Sequence, residues 1–201
     1  MGVQQLSNWT DVTVQPLYDT ATILAAGTLQ LNFFQQQLGA AGGNFAAAAA
    51  PKTLADTNMD LSGQLPAGQN FRVLGFRAQP HFALTQADAV KWSSGAWFVF
   101  TVGQKPYLRV PVDCLPAGLG AFGFYTQAAA ATAAVASHGY PVLSNGFTIG
   151  KKPLDLTSTQ NFVGTMQWTA VVAVTTTAPV QPAAGLPIRL YMDGFFYRIV
   201  Q

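Results

Sequence analysis

The stretch Asp60 to Pro80, DLSGQLPAGQNFRVLGFRAQP, does most to limit what this chain can become. Leu65-Pro66-Ala67-Gly68 puts proline at the second position of a turn, where its fixed φ fits, and glycine at the fourth, as a type I turn prefers. From Gln69 to Gln79, apolar Phe71, Val73 and Ala78 mix with Arg72, Arg77 and the central Leu74-Gly75-Phe76. Pro80 ends the run, because proline cannot donate to a ladder. A turn that launches a long β-like run predicts a central strand. The same punctuation recurs at Leu24-Ala25-Ala26-Gly27, Leu115-Pro116-Ala117-Gly118 and Pro182-Ala183-Ala184-Gly185, each just ahead of another β-like run. The spacing is irregular, so this is repeated turn chemistry and not an internal repeat.

Around this strand the chain reads as β almost throughout. Asp11 to Ile23 alternates loosely around Pro16 and suits a sheet edge. Gly27 to Phe34 sets Leu29, Leu31 and Phe33 against Thr28, Gln30 and Asn32, the strict period of two of a half-buried strand. Ala96 to Val102 and Lys105 to Val112 flank Gly103-Gln104 as a hairpin. Leu119 to Tyr125, Phe147 to Ile149, Phe162 to Trp168, Thr169 to Thr177 and Ile188 to Val200 supply further strands. Asp193-Gly194 reads as a bend inside the last of these. Thr85 to Trp92 is the one short helix, with Thr85 as N-cap and Asp88 near the positive end of the dipole. Leu38 to Pro51 is an Ala- and Gly-rich loop. Gln127 to Ser137 favours helix by its alanines but offers no apolar face to dock, so helix and flexible insertion stay open. The expectation is an all-β fold spanning residues 1–201 as a single domain. It is a jelly-roll sandwich of about eight to ten strands with Ala-rich loop insertions and one short helix; an immunoglobulin-like sandwich, here without its cysteine pair, is the rival.

Charge narrows the function classes. Only 9% of residues are charged, against roughly 25% in an average soluble domain. All eight acids are aspartates, and the net charge is +2. Gln, Asn, Ser and Thr supply the polarity, which suits a protein packed against copies of itself. Apart from Lys151-Lys152 the cations are scattered singly, and none precedes Lys52, so no basic arm or stripe is present for nucleic acid. Cys114 stands alone, which excludes intramolecular disulfides and reads as a buried thiol. The opening MGVQQLSNWT carries no export signal, and no apolar run reaches the length of a membrane span.

Site chemistry is sparse. Gly118-Leu119-Gly120-Ala121-Phe122-Gly123 matches G-x-G-x-x-G in form, but prolines interrupt the strand before it and no acid follows at the required distance, so no cofactor is expected. Asp56, Asn58 and Asp60 alternate like the start of a calcium loop; Leu61 stands where glycine is needed and Ala67 where glutamate is needed, and local turn bonding is the better reading. His81 and His138 are too few and too far apart for zinc. Asp113 and Cys114 are neighbours that would point to opposite faces of a strand, so they make no catalytic pair. The chain does not read as an enzyme.

Three segments together resemble the coat proteins of small tailless icosahedral bacteriophages with jelly-roll capsids. They are Tyr18-Asp19 through Gly27-Thr28-Leu29-Gln30-Leu31-Asn32-Phe33-Phe34, the Leu65-Pro66-Ala67-Gly68 turn with its strand, and Ile188-Arg189-Leu190-Tyr191-Met192-Asp193-Gly194 running to Arg198-Ile199-Val200-Gln201. The resemblance implies a structural virion protein, a major capsid protein that self-assembles into an icosahedral shell. Copies of itself would be its partners, as trimers or pseudo-hexameric capsomers, with minor capsid or spike proteins and an internal membrane as further neighbours. It would be assembled in host cytoplasm and would not bind nucleic acid strongly. The alternative is a phage spike or carbohydrate- or receptor-binding β-sandwich module, in which Trp92 and Trp97 would stack on sugar rings.

Overall fold

A computed structural model describes residues 11–41, 51–81, 86–93, 95–115, 121–123, 135–137, 147–149, 153–174 and 185–198. In chain order the strands are β1 (Asp11–Val14), β2 (Leu17–Leu24), β3 (Thr28–Phe33), β4 (Gln69–Pro80), β5 (Ala96–Val102), β6 (Lys105–Pro111), β7 (Ala121–Gly123), β8 (Val135–Ser137), β9 (Phe147–Thr148), β10 (Leu154–Thr157), β11 (Phe162–Val172) and β12 (Gly185–Arg198). One helix, α1 (Gln86–Ser93), lies between β4 and β5. Among the described residues the protein is all-β, with two main antiparallel sheets, a separate two-stranded ladder and one short helix.

In the first sheet β12 is central. β4 lies along one side of it, and β1 and β2 lie in succession along the other. The far side of β4 carries β10 and β9. The second sheet runs β3-β11-β5-β6, and β7 pairs with β8 separately. β4 is thus a central strand, and it runs through Pro80, which lies opposite Ile188. Pro16 marks the break between β1 and β2 on the sheet edge.

The sheets meet through phenylalanine. Phe76 of β4 packs at 5.2 Å from Phe98 and 4.9 Å from Phe100 of β5, and Phe100 lies 6.2 Å from Phe162 of β11. On β12 Leu186, Ile188, Leu190 and Met192 face inward and are fully buried. Each such side chain contributes about 1.5–3 kcal/mol of burial. Gly164 of β11 faces Leu190 and the Phe98 ring so closely that an added Cβ would crowd both.

One irregularity shapes the first sheet. Gly194 lies opposite Val73 and Asp193 opposite Gly75, so Leu74 is the extra residue of a bulge on β4. A bulge shifts the face that each following residue presents. Phe71 and Val73 are buried before it, Phe76 and Ala78 after it. Asp193-Gly194 therefore stays inside one strand, bent opposite the bulge. At the β5–β6 connection Gly103 has φ +60° and Gln104 does not share it, the pattern of a two-residue turn with glycine first.

Several expectations are corrected. Phe162–Trp168 and Thr169–Thr177 are not two strands: β11 runs unbroken to Val172, because Trp168 keeps its pairing with Ala96. Leu154–Thr157, which the expected strands do not include, pairs with β4 opposite Phe71 and Val73. Val135–Ser137, inside the Ala-rich stretch, is neither helix nor loose insertion but a strand paired with Ala121–Gly123. Leu29 is 46% exposed, so the inward face of β3 begins only at Leu31. Cys114 is exposed: a 3-10 turn over Val112–Cys114 buries Val112 and turns the thiol outward. Asp113 shares that turn, so the strand geometry expected for the pair does not apply. Thr85, His138, Lys151 and Lys152 lie outside the described residues, as do most of the Ala-rich stretches.

Candidate functional site

The segment 51–65 is the densest polar region described, and it holds the residues of the calcium-like pattern. Asp56 is buried, and its Oδ2 accepts the Thr53 amide at 2.9 Å and the Thr53 hydroxyl at 2.8 Å. Asn58 lies against β2: its Oδ1 accepts the Tyr18 amide at 2.9 Å and its Nδ2 donates to the Pro16 carbonyl at 2.8 Å. Asp60 is exposed. These side chains face different partners, and among the described residues no group of three or more acids, histidines or cysteines is gathered to hold a metal. The Asp56 carboxylate ties the segment to itself, and Asn58 pins it to β2.

The pin has an ionic centre. Lys52 Nζ is bonded to Asp19 Oδ1 on β2 and donates to the Thr20 carbonyl at 2.7 Å. Asp19 also accepts the Thr20 amide at 2.9 Å and the Phe34 amide at 2.6 Å. Both side chains are 1% exposed. Burial pushes the Asp19 carboxyl above the usual carboxylate range, against the pull of the Lys52 ammonium and the two amides. Composition pointed to few charges; it gave no signal that the first lysine of the chain would be buried whole.

The outward face of the first sheet carries arginine and tyrosine. Arg77 binds Asp193 through two bonds of 2.6 and 2.7 Å and stacks 4.7 Å from the centre of the Tyr191 ring. Arg72 binds Asp155 at 2.7 and 2.9 Å and lies 5.4 Å from the Tyr197 ring. Arg189 reaches the Ala55 carbonyl and lies over Tyr18 and Tyr191. Bidentate pairs and ring stacking suit arginine's planar fork. The face ties its charges to one another. His81, half-buried at the end of β4, is held below the ordinary histidine range by burial first and by Arg189 second.

Two other features were candidates. A cleft of roughly 200 Å³ lies at the Pro16 break, lined by Gln15, Leu17, Asn58, Asp60, Leu65 and Arg198 among others; ligand pockets for small molecules start at about 300 Å³. Of the tryptophans considered for sugar stacking, Trp92 is 4% exposed on α1, and its carbonyl accepts the Trp168 indole at 3.2 Å. Trp97 is half-buried on β5 opposite Gln167 and Pro111. The structure does not bring the two together as one stacking platform.

Comparison with protein-family models, with curated proteins and with solved structures found no match.

Proposed function

We propose that this chain is a structural virion protein, a single jelly roll that assembles with copies of itself into the shell of a small tailless phage. The observation that carries this reading is the nesting of its strand pairs. Taking β2, β3, β4, β5, β6, β10, β11 and β12 as eight strands in order, the first pairs with the last (β2·β12) and the second with the seventh (β3·β11). The third pairs with the sixth (β4·β10) and the fourth with the fifth (β5·β6). A single long hairpin rolled over itself gives this order, and a jelly roll is such a roll-up of eight strands. The segments resembling phage coat proteins supply β2, β3, β4 and β12, so the resemblance falls on strands of this roll.

The surface chemistry supports a role in packing. Lys52, Arg72, Arg77 and Lys91 are each bonded to an aspartate of the same chain, and the net charge of the whole chain is only +2, a small excess with which to neutralise phosphate. The shell would hold its contents by closure, over an inner membrane or with a basic protein beneath. Trimers or pseudo-hexameric capsomers are the expected assembly units. Mass photometry over a range of salt and concentration, with negative-stain microscopy of the same samples, tests the reading. Discrete oligomers or particles are expected; a strictly monomeric protein at high concentration would sink it.

A further inference from the structure

We propose that β1 is an assembly edge that takes up the β1 strand of a second copy of this chain by antiparallel strand addition about a two-fold axis. The inference rests on the self-assembly reading above and names a surface for it.

The observation is a contrast between strands that end a sheet. Unpaired strand edges invite other strands, and folded proteins blunt them with lysine, proline, charge or a covering loop. β6, which ends the second sheet, carries Lys105, Pro106, Arg109 and Pro111 within seven residues. β2 is covered. Its Tyr18 carbonyl accepts the Asn58 amide at 3.3 Å and the Thr57 hydroxyl at 3.1 Å, its Tyr18 amide is taken by Asn58, and its Thr20 carbonyl is taken by Lys52. That covering stops at Pro16, whose carbonyl receives the last of these bonds. β1 continues the same edge without it. Among the described residues β1 pairs only with β12, no side chain reaches its outer rim, and Asp-Val-Thr-Val contains no lysine or proline.

The exposed side chains agree. Val12 is 52% and Val14 67% exposed. They lie opposite Tyr197 and Phe195 of β12, while Thr13 lies opposite the buried Phe196. Cross-strand partners share a face, so Val12 and Val14 extend the outward Phe195–Tyr197 surface to the rim. A second copy fits this rim better than an unrelated charged partner. Asp11 is the only charge on β1, and antiparallel pairing of two such strands about a two-fold axis centred on Thr13 puts Val12 of each opposite Val14 of the other on one face, with no like charges facing. Such an isologous contact closes on itself as a dimer, which is the commonest symmetric assembly.

The test is the double variant Val12→Lys/Val14→Lys, with Val90→Lys/Val171→Lys as a control that adds equal charge at sites exposed by 56% and 65% elsewhere. Substitutions at such exposed positions leave stability nearly unchanged, and circular dichroism with a thermal melt checks that each variant folds. Mass photometry should show association weakened about tenfold or more for the β1 variant and unchanged for the control. Hydrogen exchange should show amides of Asp11–Val14 gaining protection as wild-type concentration rises. Unaltered assembly of the β1 variant, or equal loss in both variants, overturns the assignment of this edge and leaves self-assembly standing. A wild-type protein that stays monomeric at every concentration overturns both.

Discussion

Replacing Lys52 by methionine removes an ammonium and keeps a chain of similar length, so it isolates what the buried ion pair does. The variant leaves the Asp19 carboxylate, 1% exposed, facing two amides and no cation, and the Thr20 carbonyl without its donor. Removing one partner of a buried pair costs about 3–5 kcal/mol. For a domain of this size that lowers Tm by roughly 6–20 °C, at about 2–4 °C per kcal/mol. The loss should depend on pH in an unusual direction for an acid. Because the folded carboxyl titrates above its ordinary value, the folded state holds a proton that the unfolded state has released over the window just above pH 3.8. Asp19 therefore lowers stability as pH rises through that window, and removing Lys52 widens the window upward. Urea denaturation of wild type and Lys52→Met from mildly acidic to neutral pH measures this, with the difference shrinking toward acid. Adding Asp19→Asn should recover part of the loss. A Lys52→Met protein within about 1 kcal/mol of wild type at neutral pH would show that the pair does not anchor the segment.

Other perturbations address other parts of the fold. Gly194→Ala would drive a methyl into the Arg72 carbonyl and the Phe71 ring, and should cost about 1–3 kcal/mol in chemical denaturation. Phe76→Ala empties the contact between the sheets and should cost about 3–5 kcal/mol, read as a drop in the denaturation midpoint without a change of slope. His81 is held neutral by burial, so the unfolded state gains its proton first as pH falls below 6.5 and stability is lost on acidification; His81→Gln should flatten that limb of a Tm-against-pH plot. Deleting Phe195–Gln201 removes the last four residues of β12, Phe195–Arg198, which pair with β1 and the start of β4, and should abolish soluble expression; a truncated protein that still folds would contradict the central role of β12.

Strands with strong local signals were legible. The hairpin around Gly103-Gln104, the alternating Leu31 and Phe33, and the long run after the Leu65-Pro66-Ala67-Gly68 turn all declare themselves through period and turn chemistry. Even the bulge left a trace, since apolar residues change parity between Val73 and Phe76. What local pattern could not show is what long-range contact decides. Leu154–Thr157 is four residues with one aspartate, and only the neighbouring β4 makes it a strand. The helix propensity of the Ala-rich stretch gave way at Val135–Ser137 to pairing with Ala121–Gly123, because propensity is a weak prior that tertiary context overrides. At the candidate site, the expectation of local turn bonding matches Asp56, whose carboxylate bonds Thr53 three residues back, but not Asn58, whose partners Tyr18 and Pro16 lie 40 and 42 positions away. The partnership of Asp19 with Lys52 spans 33 positions, and a lone lysine after a proline carries no mark of burial. Cys114 misled for a related reason: composition favours a buried thiol, and a single 3-10 turn sets the side chain outward.

The central position of β12 has a consequence for how the chain acquires its structure. β12 is the last of the described strands to be synthesised, yet it fills the gap between β2 and β4, with pairs such as Arg189–Thr20 separated by most of the chain. Until it arrives, the first sheet has no middle, and β2 and β4 each expose a bare edge to solvent. Non-local pairing of this kind slows folding, because loop closure must precede the contacts that reward it. A nascent chain that cannot finish its sheet is open to strand exchange with its neighbours. Translation speed over the last third of the message, and chaperone occupancy of chains released there, should then set the yield of folded subunits more strongly than the stability of the finished fold.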